Sequence, residues 1–189
     1  MTPSDLAFET PRVKARLLCE DDLDLYLALY TDPEVMRYVG PVMGREEAEA
    51  QFRKALALNL EDAGRIRYWA AYTVESAGVS PLGIMSAALS WPGRSQVEIG
   101  IMLLRHRQRG GLGRLLLTPL IDAIFDEAGF GVDVVTARHL SQNAAARELF
   151  SCLGFSSSVG EDSRTEMCML TSQQWRRKIS SLALAPLSS

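Results

Sequence analysis

The sequence holds few cysteines: Cys19, Cys152 and Cys168 are the only ones in 189 residues. An odd count with no CxxC spacing is neither a disulfide framework nor a zinc site. Histidine is scarcer still. His106 and His139 are the whole supply, and they are not spaced as a metal pair, so no metal centre is expected. No apolar run approaches the roughly 20 residues needed to span a membrane. Met1 to Glu9 lacks the apolar stretch of a signal peptide. An excess of positive charge is also missing. The formal net charge is −3, which argues against general nucleic-acid binding. A reducing cytoplasm is the simplest setting for such a chain.

What is present is ordinary globular material, 47% hydrophobic and 23% charged. That is enough for one well-formed core. No linker, repeat or low-complexity block divides the chain, so 1–189 reads as one domain. Its core would run over 10–178, with 179–189 as a loosely held tail.

Hydrophobic periodicity orders the elements. Arg12 to Leu18 alternates as a strand. Glu20 to Tyr30 sets Leu23, Tyr26, Leu27 and Tyr30 on one helical face. Asp32-Pro33-Glu34 is a helix start, with Asp32 as N-cap and Pro33 in the first turn. Glu46 to Leu60 is rich in helix formers. Strands then follow at Ile66–Val74, Pro81–Trp91 and Gln96–Leu104, joined by turns at Ala77-Gly78 and Pro92-Gly93. Turns this short imply antiparallel neighbours. Leu112 to Ala128 reads as a helix containing Pro119, which predicts a kink or a later start. Val132–Ala137 is a buried-looking strand. Asn143–Leu153 is a helix closed by Gly154, Arg164–Leu170 a strand and Thr171–Lys178 a closing helical turn. The order is β-α-α-β-β-β-α-β-α-β-β: an α/β (α+β) fold with a mixed sheet of about seven strands and helices against it.

Four arginines fall between Arg105 and Arg114, and glycines occupy 110, 111 and 113 just before a helix. A strand feeding a Gly-rich turn into a helix N-terminus presents free N–H groups and a positive dipole end. Glycine lets the backbone approach phosphate oxygens closely. A diphosphate is the natural occupant, against the plainer alternative of a soft turn with solvated arginines. Gly111-Leu112-Gly113-Arg114-Leu115-Leu116 lacks the third glycine of the dinucleotide pattern. There is no GxxxxGK[ST] and no GxSxG.

The loop resembles the signature of the GNAT acetyltransferase superfamily, Gln/Arg-x-x-Gly-x-Gly/Ala, met by Gln108, Gly111 and Gly113. Thr10-Pro11-Arg12 through Arg16, Glu20 to Leu23, and Thr31 to Tyr38 resemble the branch that acetylates N-termini of ribosomal proteins. So do Glu98 to Ile101, Asn143 to Phe155 and Leu170 to Trp175. The resemblance covers nearly the whole chain. It implies a central sheet whose parallel strands splay, with helices on both faces. It implies acetyl-CoA as cofactor and a primary amine as acceptor, either a protein N-terminus or a small molecule. A homodimer is a further expectation from the branch.

The family match places the pantetheine arm between the strands Gln96–Leu104 and Val132–Ala137. Met102, Leu103 and Leu104 would lie beside it, with the Leu103 N–H donating to the thioester carbonyl. Gln108, Arg109, Gly110, Gly111, Leu112, Gly113 and Arg114 would hold the pyrophosphate. Asn143 and Arg147 complete the cofactor set, although Asn143 also reads as a plain helix cap. Gly100 would suit a bulge that starts the splay, or else a close-packed strand. Glu98 is the general-base candidate, since a carboxylate shielded from water becomes the stronger base. Its alternative is a surface salt bridge. The family's two usual proton donors are replaced by Phe150 and Ala146. Ser141 or a water is left as a substitute, beside a second reading: an acyl-CoA-binding or regulatory module without catalysis. Tyr38 to Met43 would border the acceptor. Ser157 to Ser163, with Glu161 and Asp162, would border it too.

Overall fold

A computed structural model describes residues 7–61, 66–76, 78–89, 96–126, 132–159 and 164–183. The turn residues Ala77, Pro92 and Gly93, the pair Glu161 and Asp162, and the end of the tail lie outside these. The described strands are β1 (Phe8–Glu9), β2 (Val13–Leu17), β3 (Ile66–Glu75), β4 (Gly78–Leu89), β5 (Gln96–Leu103), β6 (Val134–Leu140), β7 (Ser156–Val159) and β8 (Thr165–Thr171). They form one mixed sheet in the order β1-β2-β3-β4-β5-β6-β8-β7. The pairings are antiparallel except β5 with β6, which is parallel. The expected mixed sheet is therefore present. β1 and β7 come in addition to the strand ranges read from sequence. β1 is two residues long and β7 opens Ser-Ser-Ser, so neither carries an apolar alternation.

The helices are α1 (Leu23–Tyr30), α2 (Pro33–Met36), α3 (Arg45–Leu60), α4 (Leu112–Phe125), α5 (Ala144–Leu153) and α6 (Ser172–Ala183). Each sheet face builds its own core. On one face Trp69, Val97, Val135 and Leu170 pack with Leu116 and Leu120 of α4, Phe150 of α5 and Trp175 of α6. On the other Ala70 and Ile84 pack with Leu25, Tyr26 and Leu29 of α1 and Phe52 of α3. Fully burying such side chains contributes about 1.5–3 kcal/mol each. Helices therefore lie on both faces because the strands alternate apolar side chains to both.

Local signals explain the ends. Asp32 accepts the Glu34 N–H at 2.8 Å and Pro33 opens α2. Asp22, fully buried, accepts the Cys19 N–H and two bonds from Arg16, which fixes the entry to α1. The Asp22 hydrogen bond raises the Arg16 pKa above its ordinary value. α4 runs through Pro119 and begins at Leu112, so the later start does not occur. Pro119 removes the N–H that would bond Leu115 O. α6 continues beyond Lys178 to Ala183 and is tied to α4 by Trp175 Nε1–H donating to Asp122 Oδ1 at 2.6 Å.

Candidate active site

β5 and β6 pair over three rungs only: Gln96 with Val134, Val97 with Val135 and Glu98 with Thr136. Both strands continue, β5 to Leu103 and β6 to Leu140, but the ladder between them stops. The sheet is forked from Glu98 onward. β5 keeps its other neighbour throughout, pairing with β4 from Val97 to Leu103. The Leu104 N–H donates to Leu82 O on that side at 3.0 Å. Alternate residues of an antiparallel strand turn their N–H groups to opposite sides. The N–H groups of Ile101 and Leu103 therefore face the fork, where no strand receives them. The Leu103 carbonyl on that side accepts from Gln108 Nε2 at 3.2 Å.

The expected bulge at Gly100 is absent. Gly100 pairs in regular register with Ser86, and a Cβ there would stand 2.8 Å from Ser86 Oγ. Close packing explains this glycine. The register shift lies instead between β3 and β4, at Ala71/Tyr72, where Leu82 is the extra residue between Pro81 and Gly83. Gly83 was not read from the sequence as a site residue. A Cβ on it would lie 2.1 Å from Met102 O and 3.0 Å from Leu103 Cα. Its missing side chain lets β4 brace the end of β5. An isolated glycine inside a strand is the signal for such an approach.

After β5 the chain makes a 3₁₀ turn at Arg105–Arg107, and Gln108 is extended. Arg109, Gly110 and Gly111 then take φ of 84°, 71° and 75° in succession. Arg109 is the only described non-glycine residue with positive φ, a conformation that costs about 1–3 kcal/mol. Extra Cβ atoms at 110 or 111 would meet nothing within 4 Å, so backbone conformation demands glycine there, not crowding. Gly113 differs: its Cβ would meet Leu149 of α5 at 3.1 Å. The first bond into α4 runs from Leu115 N to Gly111 O, and no side chain caps the helix. The N–H groups of Leu112, Gly113 and Arg114 precede that bond and stay available. The left-handed to helical step at Gly111–Leu112 is a backbone shape that gathers N–H groups around an anion. Arg107 is tied to Glu75 at 3.0 Å. Arg105, Arg109 and Arg114 are exposed and pair with no described residue. Open N–H groups, a dipole end and free cations fit a diphosphate. The outward N–H groups of the fork fit an amide-bearing arm.

α5 opens on the other arm of the fork. Asn143 Oδ1 accepts the Ala146 N–H at 3.1 Å, so Asn143 is a cap. Its side-chain amide nitrogen donates to no described residue. Arg147 turns away from the fork strands toward β8. Its Nε and Nη2 donate to Glu166 Oε1 at 3.2 and 2.9 Å, and Nη2 also donates to the Ser141 carbonyl. The Ser141 N–H donates to Arg164 O. Ala146 presents only a methyl group. Phe150 is buried between His139 and Phe155. The His139 Nδ1 lies 3.0 Å from Leu140 O and its Nε2 3.5 Å from Cys168 Sγ. Both ring nitrogens are engaged, so His139 does not replace the absent tyrosine. Burial, then the Glu166 charge, pushes the Cys168 thiol pKa up.

Glu98 sits on the last rung, on the face opposite Val97 and Ile99. It is not buried. Its side chain is 41% exposed and meets Arg138 Nη2 at 3.4 Å. Tyr38 and Met43 are half-buried, and the Met43 N–H donates to Tyr30 O at the end of α1.

The model of the GNAT acetyltransferase domain matches residues 12–156, well over half of the chain. No curated protein sequence matches significantly. Solved structures agree in fold. Spermidine N-acetyltransferase from Vibrio cholerae, in complex with CoA and spermine, superposes with a TM-score of 0.71 at 16% identity, over 88% of this chain and 99% of that one. The aminoglycoside acetyltransferase AAC(6')-Ib with coenzyme A gives 0.70 at 17%, over 88% and 99%. RimL, a ribosomal L7/L12 alpha-N-protein acetyltransferase with coenzyme A, gives 0.71 at 13%, over 88% and 98%. A forked parallel pair, an uncapped glycine-rich helix start and the sequence match across both converge: the chain belongs to the GNAT acetyltransferase family.

Proposed function

We propose that this chain transfers the acetyl group of acetyl-CoA to a primary amine within a ternary complex. The observation that carries the reading is the forked β5–β6 pair leading into the uncapped start of α4. Gln108, Arg109, Gly110, Gly111, Leu112, Gly113 and Arg114 would hold the pyrophosphate. The fork-facing edge from Met102 to Leu104, with the Asn143 amide, would hold the arm. Bound acetyl-CoA would supply the thioester. The Leu103 N–H donates to the thioester carbonyl oxygen as charge builds there. Glu98, directly or through water, takes the amine proton. With acetyl-CoA bound, the amine would take the acetyl group and coenzyme A would leave as its thiol. Ser141, whose carbonyl accepts from Arg147, or a water would supply the proton to the thiolate. Three free cysteines fit a reducing, cytoplasmic setting.

Phe150 and Ala146 favour the second reading, a coenzyme A-binding module without turnover. Purified protein with acetyl-CoA and a mixed amine panel, followed by thiol release, separates the two. Release with any acceptor supports transfer. Binding without release for every acceptor supports the module. Glu98→Gln should lower kcat at neutral pH by about 10- to 100-fold while acetyl-CoA affinity holds. An unchanged pH–rate profile removes Glu98 from the mechanism.

A further inference from the structure

The pair Glu98–Arg138 lies where the two strands of the fork separate, and the transfer chemistry uses only half of it. Glu98 points away from the buried Val97 and Ile99. It shares its face with Thr136 across the last rung. Arg138, two residues further along β6, is on that same face. There the β5 ladder has ended. Across β6 the opposite partners are Met169 for Thr136 and Met167 for Arg138. Their neighbours Cys168 and Leu170 enter the core, so both methionines face Arg138's side of the sheet. Met169 is 44% exposed.

We propose that the acceptor is a zwitterionic amino acid with an apolar side chain. Its ammonium would meet Glu98, its carboxylate Arg138 and its side chain Met167 and Met169. This rests on the transfer reading and names its substrate class.

Charge matching is the first argument. The resting pair is a single contact of 3.4 Å between side chains 54% and 41% exposed. Pairs this wet and this long contribute little to stability, so a ligand separates them at small cost. A zwitterion replaces the lost partner on both sides at once. A polyamine or a protein N-terminus brings only the cation and sets it beside Arg138. The planar guanidinium also suits a carboxylate, which it binds through two parallel N–H bonds. The second argument is the exposed methionine. A thioether surface adapts to apolar groups of varied shape, and nothing in the cofactor chemistry needs one there. The third is release. Acetylation converts the ammonium to a neutral amide. The product then offers Glu98 no cation, so the Glu98 half of the match that held the substrate is gone while the carboxylate half is unchanged.

The test uses the full chain with acetyl-CoA and initial rates of thiol release. L-Leucine, L-methionine and L-phenylalanine are each compared with the corresponding carboxamide, with spermidine alongside. The carboxamides carry the less basic amine, so intrinsic reactivity works against the proposal. The acids should still exceed their amides in kcat/KM by about tenfold or more. Arg138→Gln should bring the acid down to the amide through KM, and Arg138→Lys should restore part of the difference. Amides equal to or better than the acids overturn the proposal. So does spermidine as the best acceptor, or an Arg138→Gln variant that lowers acid and amide by one factor. If no amine releases thiol, the transfer reading fails by itself. Calorimetry of L-methionine against methioninamide on the CoA-loaded protein then decides the zwitterion site, and equal binding or none overturns it.

Discussion

Helices α4 and α5 each follow one strand of the fork, and their N-termini are finished in opposite ways. At α4 the preceding residue is Gly111 in a left-handed conformation, with no capping side chain and exposed arginines on either side. At α5 Asn143 caps the helix, and Arg147 ties the first turn to Glu166 and the Ser141 carbonyl. Every helix start has donors that need an acceptor. α5 meets part of that need from its own chain. α4 leaves it to something from outside, and accepts a strained Arg109 in the process. The comparison sets a start left open, where the proposed function puts an anion, against one closed by its own chain, and substitutions at each test it.

The largest effect is expected at the open end. Gly111→Asp adds a side chain at φ 75°, which costs roughly 1–3 kcal/mol of strain. It would also set a carboxylate where the proposed function puts a diphosphate. Acetyl-CoA affinity should fall by about a hundredfold or more. Gly111→Asn separates the two causes, because asparagine tolerates left-handed backbone and carries no charge. It should lose several-fold only. Calorimetry with acetyl-CoA reads both variants, and an unchanged dissociation constant in the aspartate variant removes the loop as the anion site.

The open end was also the legible one. Gly110 and Gly111 are neighbours in sequence, and their left-handed backbone follows from glycine's freedom. The same holds for Asp32-Pro33 and for the strands around Trp69 and Val97, where a local period is enough. The closed end could not be read that way. Arg147 and Glu166 are 19 residues apart and Glu98 and Arg138 are 40 apart. Such pairings exist only once the sheet order is known. Glu98 looked shielded because its neighbours are apolar, but the fork opens beside it. Gly100 and Gly83 show a related limit. A strand glycine signals either a bulge or a close approach, and only the register decides. β1 and β7 escaped because strands so short or so polar have no period to detect.

Asn143 tests whether the closed end also serves the ligand. Asn143→Ala removes the bond to the Ala146 N–H and should cost about 1 kcal/mol of stability. Asn143→Asp keeps an oxygen for that bond but loses both amide donors. If the amide nitrogen meets the arm, the aspartate variant keeps its melting temperature and weakens acetyl-CoA binding by roughly three- to tenfold. Thermal unfolding and cofactor titration on the two variants read this. An aspartate variant with full affinity reduces Asn143 to a cap alone.

The smallest effect is expected from Glu166→Gln. Arg147 is half-exposed, with a side chain 50% accessible against 15% for Glu166. Losing the charge of such a pair should cost no more than about 1 kcal/mol. A second consequence is more specific. The Cys168 thiol pKa is raised chiefly by burial and secondly by the Glu166 charge. A group with a raised folded pKa supports the fold below its unfolded value, about pH 8.5 for a thiol, and loses that support as pH rises toward its folded value. Stability of the parent protein should therefore decline above about pH 8.5. The glutamine variant should decline slightly less, because the larger cause, burial, remains. Urea midpoints between about pH 7 and 9.5 measure the difference. A loss of several kcal/mol at neutral pH would show instead that Arg147 and Glu166 act as a buried pair. The start of α5 would then depend on β8.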